Sequence, residues 1–320
     1  MNSSERYIAR TMFKLKVYES DGQAFEDLFI RIMSKYNRNF RPVKPYGRIG
    51  DMKNDGFDQV QGTYFQIYGP EEIEKRNSID YAIRKLREDF YGLKEHWDSV
   101  CPIKEFYYVV NDKFKGIPAQ IHLELMKLRN ENLGVKLDVF GAKDLEDVFL
   151  ALDEAEIQDI IGIIPNTDIS FLNYDILNEA IDFIMSIETN WSLDNLNDVP
   201  DFEEKIKFNK LSDQISSLLN SASYQIGNLE QYFNCNSEFV KNELKSRFKG
   251  FYEESKIKIP DTIENFADQR FLYILDKASP SKKKVVIDAV LVLMAYYFET
   301  CDIFEEPVKV KEDDIATKTY

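Results

Sequence analysis

The chain has 320 residues, 44% hydrophobic and 13% aromatic, with 41 Lys and Arg against 56 Asp and Glu. That is long enough for two domains and too apolar for a disordered chain. Two histidines (His96, His122) are too few for a His-based metal site or a Ser-His-Asp triad, and three scattered cysteines (Cys101, Cys235, Cys301) fit no zinc spacing and read as reduced thiols of a cytosolic protein.

The opening residues Met1–Arg10 are polar, with no apolar core of a secretory signal. Asp21–Asn37 spaces Phe25, Leu28, Phe29, Ile32 and Met33 as an amphipathic helix, with Asp21 expected as its N-cap. Phe40–Tyr46 alternates like a strand, and its two prolines assign it to a sheet edge. Asn54-Asp55-Gly56 carries turn chemistry, and Thr63–Tyr68 (TYFQIY) is a β-branched and aromatic strand closed by Gly69-Pro70. Glu71–Trp97 reads as a long charged helix, Phe106–Val110 as a buried strand, 117–132 as helix, Val135–Phe140 as strand and Ala142–Leu152 as helix. Alternating strands and helices over residues 1–152 predict an α/β domain with a mixed sheet flanked by helices.

From Asp153 the period changes. Tyr174–Thr189, Glu203–Asn220, Ala222–Tyr232, Ser237–Phe251, Thr262–Ala278 and Ser281–Glu299 read as successive helices, with Asn190–Pro200 a connection and Lys309–Tyr320 a frayed end. Residues 153–320 are thus expected to form an acidic all-α domain. The longest apolar run, Val285–Phe298, is broken by Asp288 and too short to span a membrane.

The net charge of −15 argues against nucleic acid for the whole chain, but it is uneven. Residues 1–150 carry 24 basic and 24 acidic side chains; residues 151–320 carry 17 and 32. Leu28–Gly50 contains Arg31, Lys35, Arg38, Arg41, Lys44 and Arg48 and no acid, a stripe that could track a phosphate backbone or be an ordinary solvated face.

Phosphodiester cleavage with Mg²⁺ or Mn²⁺ needs hard oxygen ligands and a cation. One known arrangement takes a glutamate from the first helix, an aspartate at the start of a strand, and an acidic or amide residue followed two positions later by lysine, so that both face one side of the sheet. Glu26, Asp55 and Gln66 fall at those places, with the Ile67 carbonyl as a further ligand. Asp51 and Asp58 could be turn residues or additional ligands, and Asp302 and Glu305-Glu306 read as contact or capping groups. The second member of the strand pair is Tyr68, a phenol uncharged near neutral pH, so Lys53 is the expected replacement cation, with Lys44 and Lys14 as alternatives.

Residues 20–110 resemble the PD-(D/E)XK restriction-endonuclease-like superfamily, in the branch whose third motif is Gln-x-Lys. "GRIGDMKNDGF" with "TYFQIYGPEE", and the C-terminal "VLVLMAYYFETCDIFEEP", are similar to nuclease effectors of the ABC-three-component, Lamassu-type, anti-phage systems. The resemblance implies a metal-dependent endonuclease acting on double-stranded DNA in the cytoplasm. It also implies a complex with an SMC-like ABC ATPase that holds and releases the nuclease, often a small third component, and self-association on activation. The departure at Tyr68 keeps open a non-catalytic DNA-binding or scaffolding subunit on a decayed nuclease fold. A third reading is an interaction module whose acidic half mimics DNA or binds a basic partner.

Overall fold

The computed structural model describes residues 1–45, 47, 50–73, 75–188, 202–300 and 303–306. Tyr46, Arg48, the connection Asn190–Pro200, Cys301, Asp302 and the end Lys309–Tyr320 lie outside the described residues. The chain forms two compact units, Met12–Gly162, and Met1–Thr11 with Ile163–Tyr320.

The chain begins with a helix that periodicity alone does not announce, α1 (Ser3–Glu19). Its charged residues hide a thin apolar stripe of Ile8, Ala9, Phe13, Leu15 and Val17, all buried. The next helix, α2 (Gln23–Tyr36), buries the expected Phe25, Leu28, Phe29, Ile32 and Met33. Its N-cap is Gly22, not Asp21; the Asp21 carboxylate instead pairs with Lys113 at 2.7 Å.

A five-stranded sheet follows in the order β1 (Phe40–Pro42), β2 (Gly56–Asp58), β3 (Thr63–Tyr68), β4 (Glu105–Val110), β5 (Lys136–Phe140). The first two pairings are antiparallel and the last two parallel, so the sheet is mixed. Pro42 sits on edge strand β1, where a missing N–H costs no ladder bond. Helices α3 (Arg76–Trp97), α4 (Ala119–Glu131), α5 (Ala142–Leu150) and α6 (Glu154–Ile161) complete the unit.

Alternation along β3 divides its side chains between two cores. Tyr64 joins Phe106, Tyr108 and Val110 of β4 under Leu86 and Phe90 of α3 and Ile121, Leu125 and Leu128 of α4. Phe65 packs on Phe29 of α2, ring centroids 5.5 Å apart, and stacks on Tyr107. Burying each such aromatic contributes about 1.5–3 kcal/mol, which fixes the register because a one-residue slip would exchange the faces.

The other unit is helical: α7 (Tyr174–Ser186), α8 (Phe202–Phe208), α9 (Asp213–Ser223), α10 (Ile226–Asn234), α11 (Glu238–Lys258), α12 (Phe266–Ala278) and α13 (Lys284–Glu299). Every residue of α13 from Val286 to Phe298 is buried, so the apolar run is the axis around which α7, α9, α10 and α12 pack. Where the sequence pattern predicts one helix over Glu203–Asn220, two form. Lys210 turns left-handed (φ 58°), and Ser212 caps α9 by accepting from the Ile215 N–H. Among the described residues no helix is long and apolar enough to cross a membrane.

Candidate functional site

The pairing of Gly56 with Phe65 sets the register at the start of β2 and carries Asp55 alongside Gln66. Asp55 is buried, and its Oδ2 accepts the Ile67 N–H at 2.6 Å. A strand residue turns its N–H and C=O to the same edge, so the Ile67 carbonyl also faces this end of β2. Burial lifts the Asp55 carboxyl to about 7; the Ile67 N–H opposes the rise, Glu26 and Asp51 reinforce it, and Lys85 works against it. Asp55 therefore senses an acid from α2 and a base from α3.

Glu26 is half-buried on the first turn of α2. That turn is drawn against the end of β3: the Gly22 N–H donates to the Gly69 carbonyl at 2.6 Å, and a Cβ on Gly69 would stand 3.0 Å from Cβ of Phe25 and 3.1 Å from the Gly22 nitrogen. A side chain at 69 would push α2 back by a few tenths of an ångström.

Gln66 is 3% exposed, and its Oε1 has no hydrogen-bond partner. Asn54, fully buried next to Asp55, leaves both Oδ1 and Nδ2 without partners. Orphaned buried polar atoms cost roughly 1–3 kcal/mol each, a cost that a bound polar or cationic ligand would relieve. Glu26, Asp55, the Gln66 amide oxygen and the Ile67 carbonyl are all hard oxygen donors, the chemistry that suits Mg²⁺ or Mn²⁺. Carboxylates alone do not suffice: among the described residues no group of three or more His, Cys, Asp or Glu could hold a metal ion.

Tyr68 shares the Gln66 face but is engaged elsewhere. Its hydroxyl donates to the Ser78 carbonyl at 3.3 Å, and its ring stacks on Tyr108 at 6.1 Å. Burial and the neighbouring Tyr81 push its phenol further up. Lys53 is held by Asp89 of α3, Nζ to Oδ1 2.8 Å, and that hydrogen bond raises its pKa. The other Asp89 oxygen binds Lys85. Asp89 itself is fully buried.

The remaining candidate residues disperse. Asp51 accepts the Lys53 N–H at 2.8 Å, closing a local turn. Asp58 accepts from Val60 and Gln61 N–H and from the Asn37 amide; burial opposes its ionisation, but the Asn37 amide and then the two N–H groups outweigh it and hold the carboxyl low. In the basic stripe, Arg31 donates to the Asp159 carbonyl and Lys35 pairs with the Asp159 carboxylate at 2.9 Å, so both are tied to α6. Arg41 folds back on the Arg38 and Phe40 carbonyls. Arg38, Arg41 and Lys44 are exposed. Lys14 lies over the Phe114 ring at 5.3 Å.

Lys85, Asp89 and Asn54 do not stand out in the sequence. Lys85 and Asp89 read as an ordinary solvated i, i+4 pair. The available signal was Asp89 itself, on the same 3/4-spaced stripe as Ala82, Leu86 and Leu93, where a charge must have a buried partner.

Residues 177–305, beginning within α7 and ending just after α13, match the family described as C-terminal domain 10 of the ABC-three component (ABC-3C) systems. The match supports membership of an ABC-three-component defence system. It lies wholly within the helical unit and implies partnership with other components of such a system. Neither the curated proteins nor the solved structures yield a match.

Proposed function

We propose that this component of an ABC-three-component system is its nuclease effector, with Met12–Gly162 as a restriction-endonuclease-like catalytic unit acting on double-stranded DNA. The observation that carries the reading is the unpartnered, buried Gln66 Oε1 beside an Asp55 whose carboxyl is raised to about 7. The succession α2, β1, β2, β3, α3, β4 supports it, because this is the order on which such a site is normally built.

Glu26, Asp55, the Gln66 amide and the Ile67 carbonyl would hold Mg²⁺ or Mn²⁺. When bound, the ion supplies Lewis acidity to the phosphoryl group and acidifies a water. The chain's own residues do the rest. The Ile67 N–H fixes the Asp55 carboxylate in one orientation. Asp89 holds the ammonium groups of Lys53 and Lys85, and the Lys85 charge acts on Asp55, supplying the positive charge that the strand itself lacks at Tyr68. Arg38, Arg41 and Lys44, with Arg48, contact the DNA backbone. The acidic helical unit docks on partner subunits: an SMC-like ABC ATPase that holds and releases the nuclease as in Lamassu-type systems, and a small third component. Active molecules self-associate.

The test is plasmid cleavage by the full chain in Mg²⁺. Asp55→Asn is expected to lower the rate by roughly 100-fold or more with the fold intact. Unchanged cleavage by that variant would sink the assignment. The second reading, a non-catalytic DNA-binding subunit on a decayed nuclease fold, is favoured by Tyr68 being bound to the Ser78 carbonyl and Lys53 to Asp89. Mn²⁺ titration separates the two, since a decayed site does not bind the ion.

A further inference from the structure

We propose that Lys85, aimed by the buried carboxylate of Asp89, is the catalytic cation of the Asp55 site, and that Lys53 is an anchor for the loop that carries Asp55. This rests on the nuclease reading and names which residue supplies its positive charge.

Three cations or their stand-ins compete for the role. Tyr68 occupies the strand position, but its hydroxyl is bound to the first turn of α3 and its ring is stacked into the core. Lys53 approaches from the loop, and the geometry around it is that of a staple. Met52 and Lys53 both adopt left-handed backbone (φ 54° and 63°). The Met52 carbonyl accepts from Trp97 Nε1 at 3.2 Å, near the end of α3. The Lys53 stem crosses α3 at Gly92, where an added Cβ would stand 2.8 Å from Lys53 Cγ. Glycine at 92 makes room for the stem, and the ammonium ends on Asp89 Oδ1. The contacts at Gly92, Trp97 and Asp89 thus tie the loop just before Asp55 to the second half of α3.

Lys85 comes from one turn earlier on the same helix. It takes the other oxygen of Asp89, and an ammonium has three donors, so two remain for a ligand. It is the more buried of the two lysines, 26% against 45% side-chain exposure, and a fixed charge acts more strongly where water is excluded. It is also the lysine whose charge is felt at Asp55. Asp89 in this scheme is a positioning residue: one buried carboxylate serves both the catalytic lysine and the loop anchor. The Lys85 ammonium would then offset the negative charge that gathers on the phosphoryl oxygens in the transition state.

The experiment measures cleavage of a linear duplex by the full chain under single-turnover conditions in Mg²⁺, DNA affinity in Ca²⁺, and melting temperature. Lys85→Met is expected to lose about 100-fold or more in rate while the chain stays folded and DNA affinity stays near wild type. Lys85→Arg, which keeps the charge, is expected to recover part of the rate. Lys53→Met is expected to lose less than ~10-fold in rate and to melt earlier, as a broken anchor should. Should Lys85→Met not fold, Lys85→Gln, which retains a donor for Asp89, takes its place with the same expected loss. Cleavage by the folded Lys85 variants within about 3-fold of wild type overturns the assignment. Loss of activity in Lys53→Met alone transfers the role to Lys53. If the wild type does not cleave, and Asp55→Asn leaves Mn²⁺ binding unchanged, the nuclease reading itself has failed and the Lys85 assignment with it.

Discussion

Both units bury polar groups, but they treat them differently. In the helical unit Asp268 accepts from the Tyr7 hydroxyl at 2.6 Å and the Ser212 N–H at 2.9 Å, and Asp288 accepts from the Ser170 N–H and pairs with Lys284. Lys205 donates to the Phe298 carbonyl at 2.8 Å. Gln269 and Arg247 each leave an atom unpaired but bond through another. In the α/β unit Asn54 has both side-chain polar atoms unpaired, Gln66 Oε1 is unpaired, and Asp55, next to Asn54 and across from Gln66, is protonated far more readily than an ordinary aspartate. Satisfied buried charges hold helices together; buried polar groups left unpaired beside a strained carboxyl are arranged for a ligand.

The pH dependence of stability breaks or sharpens this contrast most strongly. The folded-state pKa of Asp55 is raised from 3.8 to about 7, so the folded chain binds this proton more tightly than the unfolded chain. The contribution is favourable at low pH and is lost as pH climbs from about 4 towards 7. At ~1.4 kcal/mol per unit, the upper bound of the loss is roughly 4 kcal/mol. Without divalent ions, wild type should melt progressively earlier from pH 5 to 8, and Asp55→Asn should flatten the curve and melt later than wild type at pH 8. Mg²⁺ should restore the wild type alone. A melting curve indifferent to Asp55→Asn would show that the carboxyl is not strained.

The opposite sign is expected in the helical unit. Asp268→Ala strands the Tyr7 hydroxyl and the Ser212 N–H, and should cost about 3 kcal/mol in urea unfolding with no rescue by Mg²⁺. A gain in stability there would make Asp268 another strained group and erase the contrast. The smallest effect belongs to the basic stripe. Because Arg31 and Lys35 are bound to Asp159, replacing both by alanine should weaken DNA binding less than replacing Arg41 and Lys44. Equal losses, measured as the salt dependence of binding, would return Arg31 and Lys35 to the DNA surface.

Much of the architecture was legible. The β-branched and aromatic run TYFQIY and the long charged helix read after it located β3 and α3, and the stripe in α2 was read residue by residue. Helix α1 was missed because its apolar positions are diluted by charges. The break between α8 and α9 was missed because Lys210 has no sequence feature that announces a left-handed turn. At the site, Asp55 and Gln66 were picked out because strand alternation and a turn before a strand are local features, and the structure sets them alongside one another. Asp89 escaped because its partners, Lys53 and Lys85, converge only when the loop folds onto α3.

Local spacing by itself determined a mixed sheet flanked by helices, a helical second half and an aspartate beside a glutamine at one strand end, because period and turn chemistry act over a few residues. Tertiary structure decided which charges those residues face. It turned Tyr68 into α3, tied Arg31 and Lys35 to α6, and brought Lys53 and Lys85 onto a single carboxylate. The physical reason is desolvation. A lysine or aspartate carries the same formal charge wherever it stands in the sequence, and only burial against specific neighbours decides what that charge does.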